Sequence, residues 1–317
     1  MTGPKSCVII GAGMAGLTAG GVLRQSGWEV VLLDKGRVPG GRMATRRQGE
    51  SRFDHGAQFF TVRDSRFREA VDRWGASGAV KPWFTEDEHT RYRGTDGMAG
   101  IMKAIAEPLD VRTATTVDRV QAGVKGWRIW TNAGEEFSAS TLLLTAPAPQ
   151  SLDLLAGCID RLPASIVSNL ESIEFDPCFA LLAKLSGPSG VPAPGYVRPE
   201  YGPIGFIADN TQKGICDGAP ALTMHARADF SRSNFELPKE VVAQLLFEAA
   251  APWLGSEVLK WQLHRWRYSQ PVAACNEPFL YTEEPQPLAF AGDAFGGPRI
   301  EGAFLSGMAA AHRIASG

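Results

Sequence analysis

The chain opens on two short hydrophobic runs separated by a glycine-rich turn. Cys7-Val8-Ile9-Ile10 is followed at once by Gly11-Ala12-Gly13-Met14-Ala15-Gly16, and Glu29-Val30-Val31-Leu32-Leu33 then leads to Asp34. This order predicts strand, glycine turn, helix, strand and acid, the layout of a dinucleotide-binding βαβ unit. Gly11 permits the tight turn, Gly13 lets backbone approach a pyrophosphate, and Gly16 lets the helix lie close on the strand. The helix start, with Ala12, Met14 and Ala15, offers unpaired N–H groups and a positive dipole end to phosphates. Asp34, with Lys35 beside it, is placed to accept hydrogen bonds from ribose hydroxyls.

Further along, Phe67, Val71 and Trp74 recur at helical spacing and predict a helix over 64–75, with the aromatics in the core. Residues 76–96 mix Gly, Pro, Trp and charges and read as an excursion of strands and loops, after which 97–105 returns to a helical pattern. Strands are predicted over 115–120, 127–131 and 141–145, and Pro147-Ala148-Pro149 ends the last of them. Beyond this boundary, strands at 178–184, 205–209, 221–226 and 260–268, with a helix at 238–250, suit an antiparallel sheet with few crossovers. The Gly- and Pro-rich segment 187–202 reads as a surface loop or lid. Leu288-Ala289-Phe290-Ala291 is a buried-strand pattern, Gly292-Asp293 lies at its carboxyl end, and Glu301-Gly302-Ala303 opens a helix over 304–314.

The fold class is therefore α/β. A Rossmann-type dinucleotide-binding domain, discontinuous over 1–75, 97–148 and 286–317, joins a second mixed or antiparallel-sheet substrate domain over 76–96 and 149–285. No internal repeat or low-complexity tract interrupts this plan.

Composition narrows the classes. At 317 residues the chain is long for one core, and with 44% hydrophobic and 21% charged residues it is that of an ordinary soluble protein. A net charge of −2 gives no general attraction to nucleic acid or anionic membrane. No apolar run approaches the roughly 18 residues a bilayer span needs. The first strand begins near residue 6, which leaves no room for a leader. Five cysteines, at 7, 158, 178, 216 and 275, show no metal-binding spacing, so reduced thiols in a cytoplasmic protein, without a metal, are expected. Oligomeric state is not legible.

The glycine motif serves NAD and FAD alike. The C-terminal segment separates them: Asp293 at a strand end can accept bonds from a ribityl chain, and the helix start after it can aim N–H groups at an anionic ring, which suits a flavin. The cofactor site is thus completed by chain that returns to the first domain.

These segments, GAGMAG with Asp34, Arg37-Val38-Pro39-Gly40-Gly41-Arg42, Asp54-His55-Gly56-Ala57-Gln58-Phe59-Phe60, and Phe290-Ala291-Gly292-Asp293 with Glu301 to Gly307, resemble the flavin amine-oxidase superfamily in order and spacing. The short length, the Ala44-Thr45-Arg46-Arg47 run and the strand Trp261 to Tyr268 resemble its bacterial renalase-like branch. The resemblance implies the two-domain architecture of amine oxidases and p-hydroxybenzoate hydroxylase, with tight noncovalent FAD. Gly11, Gly13, Gly16 and Asp34 would hold its ADP part, Arg42, with Gly41 and Met43, would approach the pyrophosphate, and Val117 would meet adenine. Gln58 and Phe59 would lie near the isoalloxazine, Gly292 and Asp293 near ribityl or pyrophosphate oxygens, and Glu301, Gly302 and Ala303 at the flavin pyrimidine. Many related flavoproteins carry Glu where this chain has Asp34.

In the second domain, strand alternation puts Gln262, His264, Trp266 and Tyr268 on one face and Trp261, Leu263, Arg265 and Arg267 on the other. Only the first face combines stacking surface with neutral hydrogen-bonding groups, so it is expected to look into the substrate cavity, with Arg227 a further candidate. His264 could equally be an ordinary sheet histidine. No acid/base pair is evident, which agrees with a donor whose nitrogen lone pair drives hydride loss. The resemblance implies such a donor: the isomeric 2- and 6-dihydro forms of NAD(P), oxidised to NAD(P)+ by hydride transfer to flavin N5, with O2 reoxidation giving H2O2. The alternatives are an oxidase of a small primary or secondary amine, a non-catalytic FAD-binding or redox-sensing protein, and an NAD-dependent dehydrogenase.

Overall fold

A six-stranded sheet is built around the first hydrophobic run. In the computed structural model, which describes residues 5–218 and 220–317, its strands run in the order Leu280–Thr282, Leu288–Phe290, Thr141–Leu144, Ser6–Ile10, Glu29–Leu33, Asp110–Arg112. The polar lead-in at positions 1–4 lies outside the described residues. Ser6–Ile10 pairs in parallel on both sides, Val8 standing opposite Val31 and Leu142, and only the edge strand Leu280–Thr282 is antiparallel. After their first residues, Ser6, Glu29 and Thr141, the central strands are apolar because both faces are covered. Cys7 and Ile9 face the cluster that holds the helix Met14–Gln25 and the helix Ile300–Ser316, while Val8 and Ile10 face a second cluster beneath a three-stranded antiparallel sheet of residues 117–139. The two helices nearly touch. A Cβ on Gly307 would lie 2.2 Å from the Ala15 carbonyl oxygen, so only glycine lets the C-terminal helix seat against the first.

The helix predicted over 64–75 is found as Ser65–Ala76, with the Asp64 carboxylate accepting the Arg66 N–H as its cap and Phe67 and Val71 buried. The proline cluster at 147–149, expected as the domain boundary, lies just after the strand Thr141–Leu144. It opens the helix Ala148–Leu155, where a proline's missing N–H removes no hydrogen bond. Leu155, Cys158, Leu162, Ile166 and Leu170 then pack in the same cluster as Val8 and Leu142. Residues 149–173 are thus continuous with the core of the first unit, and the packing changes at the strand Glu174–Leu185.

The second sheet has five antiparallel strands in the order Tyr196–Val197, Ile204–Asp209, Ala221–Ala226, Glu174–Leu185, Val258–Ala273. Its outer face, with Phe179, Leu181, Leu222 and Met224, packs on the helix Lys239–Leu254 through Val242 and Leu246. Its inner face carries polar and aromatic groups. The segment 187–202, read as a loop, contributes the edge strand Tyr196–Val197. The excursion at 76–96 is a hairpin, Val80–Glu86 with His89–Gly94, that bridges the two units. Val80 joins the first core, whereas Phe84 stacks on Tyr196 with ring centres 4.1 Å apart. No helix among the described residues is long and apolar enough to cross a membrane.

Candidate active site

The glycine turn, the hairpin Thr45–Gln48/Ser51–Asp54 and the inner face of the five-stranded sheet enclose one cleft of about 1790 Å³. That exceeds the roughly 300–1000 Å³ of an ordinary small-ligand pocket and leaves room for a dinucleotide together with a substrate.

One end of the cleft is built from backbone. Gly11 has φ +108°, and a Cβ there would meet the Thr145 hydroxyl at 2.5 Å; a Cβ on Gly16 would lie 2.0 Å from the Gly11 carbonyl oxygen. These two glycines make the turn and its close packing. At Gly13 a Cβ would find nothing within 4 Å, because that position faces the cleft. Gly13 also caps the helix Met14–Gln25 without any side-chain acceptor, so the first-turn N–H groups are open to an anion. Gly41 and Met43 line the same region, with Met43 buried. An unfilled glycine cradle at a helix N-terminus is the donor set a dinucleotide pyrophosphate requires, and the residues fit FAD.

Asp34 lines the cleft, and both its oxygens are engaged by main chain, Oδ2 accepting the Ala12 N–H and Oδ1 the Gly36 N–H, each at 2.6 Å. It braces the glycine turn, and the expected ribose contact would use its remaining lone pairs. Ala12 itself is buried beneath the turn. Lys35 donates to Gln150 Oε1, and Val117 lines the cleft at the start of its strand. Arg42 and Asp293, expected to meet the cofactor separately, meet each other: Arg42 Nη2 donates to Asp293 Oδ1 at 2.6 Å and Nη1 to the Ser269 carbonyl. Gly292 has φ +155° and an open Cβ position, a second place where backbone faces free space. Glu301 turns toward protein, since its Oε1 accepts the N–H groups of Arg63 and Asp64. Gly302 packs against the Gly296–Gly297 turn, and Ala303 lines the cleft.

The opposite wall follows strand alternation. Gln262, His264, Trp266 and Tyr268 line the cleft, while Trp261 and Leu263 pack in the outer core and the guanidinium groups of Arg265 and Arg267 lie over Phe179 and Phe235. Across the sheet, Phe206, His225, Ala180 and His264 form one register row. Ala180 leaves a gap between the two histidines, and His55 of the first unit sits against both. Its ring centre is 5.0 Å from that of His264, and its main-chain oxygen is 3.3 Å from His225 Nε2 and 2.7 Å from Trp266 Nε1.

All three imidazoles are held neutral. Burial pulls His55 down to about 3, with the His264 and Arg46 charges adding to it, and burial pulls His225 and His264 each to about 4. Gln58 and Phe59 also line the cleft. The Gln58 amide is fixed, donating to the Asp54 carbonyl at 2.6 Å and accepting from Lys213 Nζ at 3.2 Å, and Phe59 packs among Trp83, Phe84 and Phe206. Beneath them Lys213 Nζ pairs with Asp54 Oδ2 at 2.7 Å, both side chains fully buried. Burial lowers the Lys213 pKa while Asp54 opposes the shift.

Arg227, read as a pocket candidate, lies elsewhere: its guanidinium holds the main-chain oxygens of Pro199, Glu200 and Gly202 at the sheet edge. Conversely His225 and Lys213 were not singled out from sequence as site residues, and His55 and Arg46 were read only within the segments Asp54 to Phe60 and Ala44 to Arg47. His225 alternates with Thr223 on the strand Ala221–Ala226, the same two-residue signal that revealed His264.

Comparison with known proteins agrees with this geometry. A family model described as flavin containing amine oxidoreductase matches residues 75–315, and one for an NAD(P)-binding Rossmann-like domain matches residues 9–74. Mouse (Mus musculus) renalase is 24% identical, with 95% of this chain and 96% of that protein covered. The L-amino acid oxidase Cdc18 of Crotalus durissus cumanensis is 25% identical over 56% of this chain and 39% of its own length. Two solved structures share the fold. One is a protein of Exiguobacterium sp. 255-15 assigned as a protoporphyrinogen oxidase, with TM-score 0.77, 14% identity and all of both chains covered. The other is putrescine oxidase with bound putrescine, with TM-score 0.66, 15% identity and 99% of each chain covered. The chain belongs to the flavin-containing amine oxidoreductase family and is an FAD-dependent oxidoreductase.

Proposed function

We propose that this chain oxidises the isomeric 2- and 6-dihydro forms of nicotinamide nucleotides to NAD(P)+, with noncovalent FAD held by the glycine turn, Arg42 and the Asp293 segment. The observation that carries this reading is the chemistry of the wall facing the cofactor end. His55, His225, His264, Trp266 and Gln262 are neutral, aromatic or amide groups, and no carboxylate among the described residues joins them on that wall. Such a wall stacks and orients a planar neutral ring. It holds neither a carboxylate to bind an ammonium group nor an anionic base.

Bound FAD would supply the hydride acceptor, and O2 would restore it with release of H2O2. The chain's own task is then positioning. A dihydropyridine is pushed to release hydride by its ring nitrogen, so no proton has to be removed, and holding the donor carbon at roughly 3–3.5 Å in line supplies much of the rate. Neutral His264 can donate from one ring nitrogen and accept at the other, and Gln262 can do both through its amide. Four of the five cysteines, Cys7, Cys158, Cys216 and Cys275, are buried in cores, which supports activity in the reducing cytoplasm.

The runner-up is oxidation of a small amine, favoured by the family description and by the likeness to putrescine oxidase. Anaerobic mixing of the purified protein with 2- and 6-dihydronicotinamide nucleotides, and separately with primary and secondary amines, decides between them. Rapid bleaching of the oxidised-flavin band by a dihydronicotinamide, with slow or no bleaching by amines, is the expected result. Bleaching by amines alone would transfer the assignment to the amine oxidase. Bleaching by neither would leave a flavin-binding protein without a small-molecule donor.

A further inference from the structure

We propose that Arg46 is the specificity residue that binds the phosphate of the substrate nucleotide, an inference that rests on the dihydronicotinamide reading. Arg46 lies on the strand Thr45–Gln48, half-buried, and lines the cleft. Alternation places it on the same face as Gln48, whose Nε2 donates to Gln262 Oε1 across the cleft at 3.2 Å. Arg46 therefore projects toward the Gln262/His264 wall. Its charge is felt there, since it disfavours protonation of both His55 and His264.

Arg47 alternates to the opposite, exposed face of the strand, and three other arginines of the cleft are committed elsewhere. Arg42 is neutralised by Asp293, Arg267 reaches Glu236, and Arg265 donates to the Leu237 carbonyl on the far side of the sheet. Arg46 meets no carboxylate or other hydrogen-bond acceptor among the described residues. A partly desolvated guanidinium beside two neutral imidazoles is costly unless an anion arrives to pair it. Its planar fork matches the oxygens of a phosphate. The same charge repels a diamine such as putrescine. A carboxylate could satisfy the same fork, so an amino acid is the competing source of the anion.

The test compares the isomeric dihydro forms of nicotinamide mononucleotide and of the phosphate-free riboside, in wild-type holoenzyme and in R46M and R46K. Each preparation is also titrated with oxidised nicotinamide mononucleotide, following the flavin difference spectrum. A charge-assisted bond to phosphate predicts that R46M lowers the mononucleotide-to-riboside ratio of kcat/KM by about 10- to 100-fold. The change should lie in KM, R46K should recover part of it, and affinity for the oxidised mononucleotide should weaken in parallel.

An unchanged ratio in R46M, with the wild type oxidising both pyridines, would overturn the Arg46 assignment and leave the functional reading intact. Loss of bound flavin with an equal fall for both donors would place Arg46 on the cofactor instead and also overturn it. Wild type that oxidises neither pyridine, yet distinguishes an L-amino acid from its decarboxylated amine through Arg46, would overturn the functional reading and give the anion site to a carboxylate.

Discussion

The indole N–H of Trp266 donates to the main-chain oxygen of His55 at 2.7 Å, and the two rings stack with centres 5.5 Å apart. This bond ties the substrate wall, on Val258–Ala273, to the loop that follows the hairpin of the first unit. It also explains how His55 reaches between His225 and His264 although it comes from a different sheet. Ring positions in the cleft therefore rest on this donor together with His225 Nε2, which meets the same oxygen at 3.3 Å.

Trp266→Phe keeps an aromatic ring, though a smaller one, and removes that donor. The His55 oxygen retains His225 Nε2 as a partner, so the stability loss should be modest, about 1 kcal/mol in urea denaturation of the holoenzyme. The functional loss should be larger, because a misplacement of about 1 Å can cost on the order of 10²-fold in rate. Flavin-reduction rates at saturating donor are the measurement. A variant as fast as wild type would show that the His55 ring is positioned by packing alone.

Two glycines, the sixth and third residues of the same motif, should behave oppositely. Gly16→Ala drives a methyl to 2.0 Å from the Gly11 oxygen, and the overpacking should cost about 3 kcal/mol or more of stability whether or not flavin is present. Gly13→Ala meets no protein atom, so the apoprotein should stay within about 1 kcal/mol of wild type. The new methyl instead occupies the cleft where a pyrophosphate would lie, and the protein should purify with little flavin. Thermal denaturation of apoprotein and the flavin-to-protein absorbance ratio together check both halves.

The motif was legible because its chemistry is local. Gly11, Gly13, Gly16 and Asp34 lie within one βαβ unit, and the faces of Trp261 to Tyr268 follow from a period of two. The rest was hidden because it is made by distant pairing. Lys213 sits in Thr211-Gln212-Lys213-Gly214, a sequence that reads as a solvated turn, and only the fold brings it to Asp54, 159 positions earlier. Arg42 and Asp293, 251 positions apart, were each read as cofactor residues and both line the cleft, yet nothing local told that they pair with one another. The proline cluster was read as the end of a strand, and the helix Ala148–Leu155 that it opens was missed because prolines begin helices as readily as they end strands.

Lys213→Met should be severe for a different reason than lost activity. It leaves the Asp54 carboxylate fully buried with its cation gone, a change that typically costs about 3–5 kcal/mol. Adding Asp54→Asn in the same chain removes the stranded charge and should recover part of the loss. Urea midpoints of the single and double variants test this. If the double variant is no more stable than Lys213→Met, the pair is holding Gln58 and the Thr45 and Met98 contacts of Asp54 more than it is balancing charge.

Three imidazoles kept neutral make the fold sensitive to acid in a definite direction. In the folded protein His55 titrates near about 3 and His225 and His264 near about 4, against an ordinary value of 6.5 for an imidazole free in the unfolded chain. Well above pH 6.5 neither state binds these protons, and the full stability is present. As pH falls from about 6.5 toward 4, the unfolded chain takes up protons that the folded one refuses, so stability falls with pH. Each group adds a slope of at most about 1.4 kcal/mol per pH unit, and His264, the most open of the three, adds less. The melting temperature should therefore drop steeply between pH 6.5 and 4.5. His225→Gln keeps an amide donor for the His55 oxygen while removing one titrating group, and should flatten that drop. An undiminished slope in His225→Gln would mean that His225 is already protonated in the folded protein, and the neutral wall proposed to stack the substrate ring would lose one of its members.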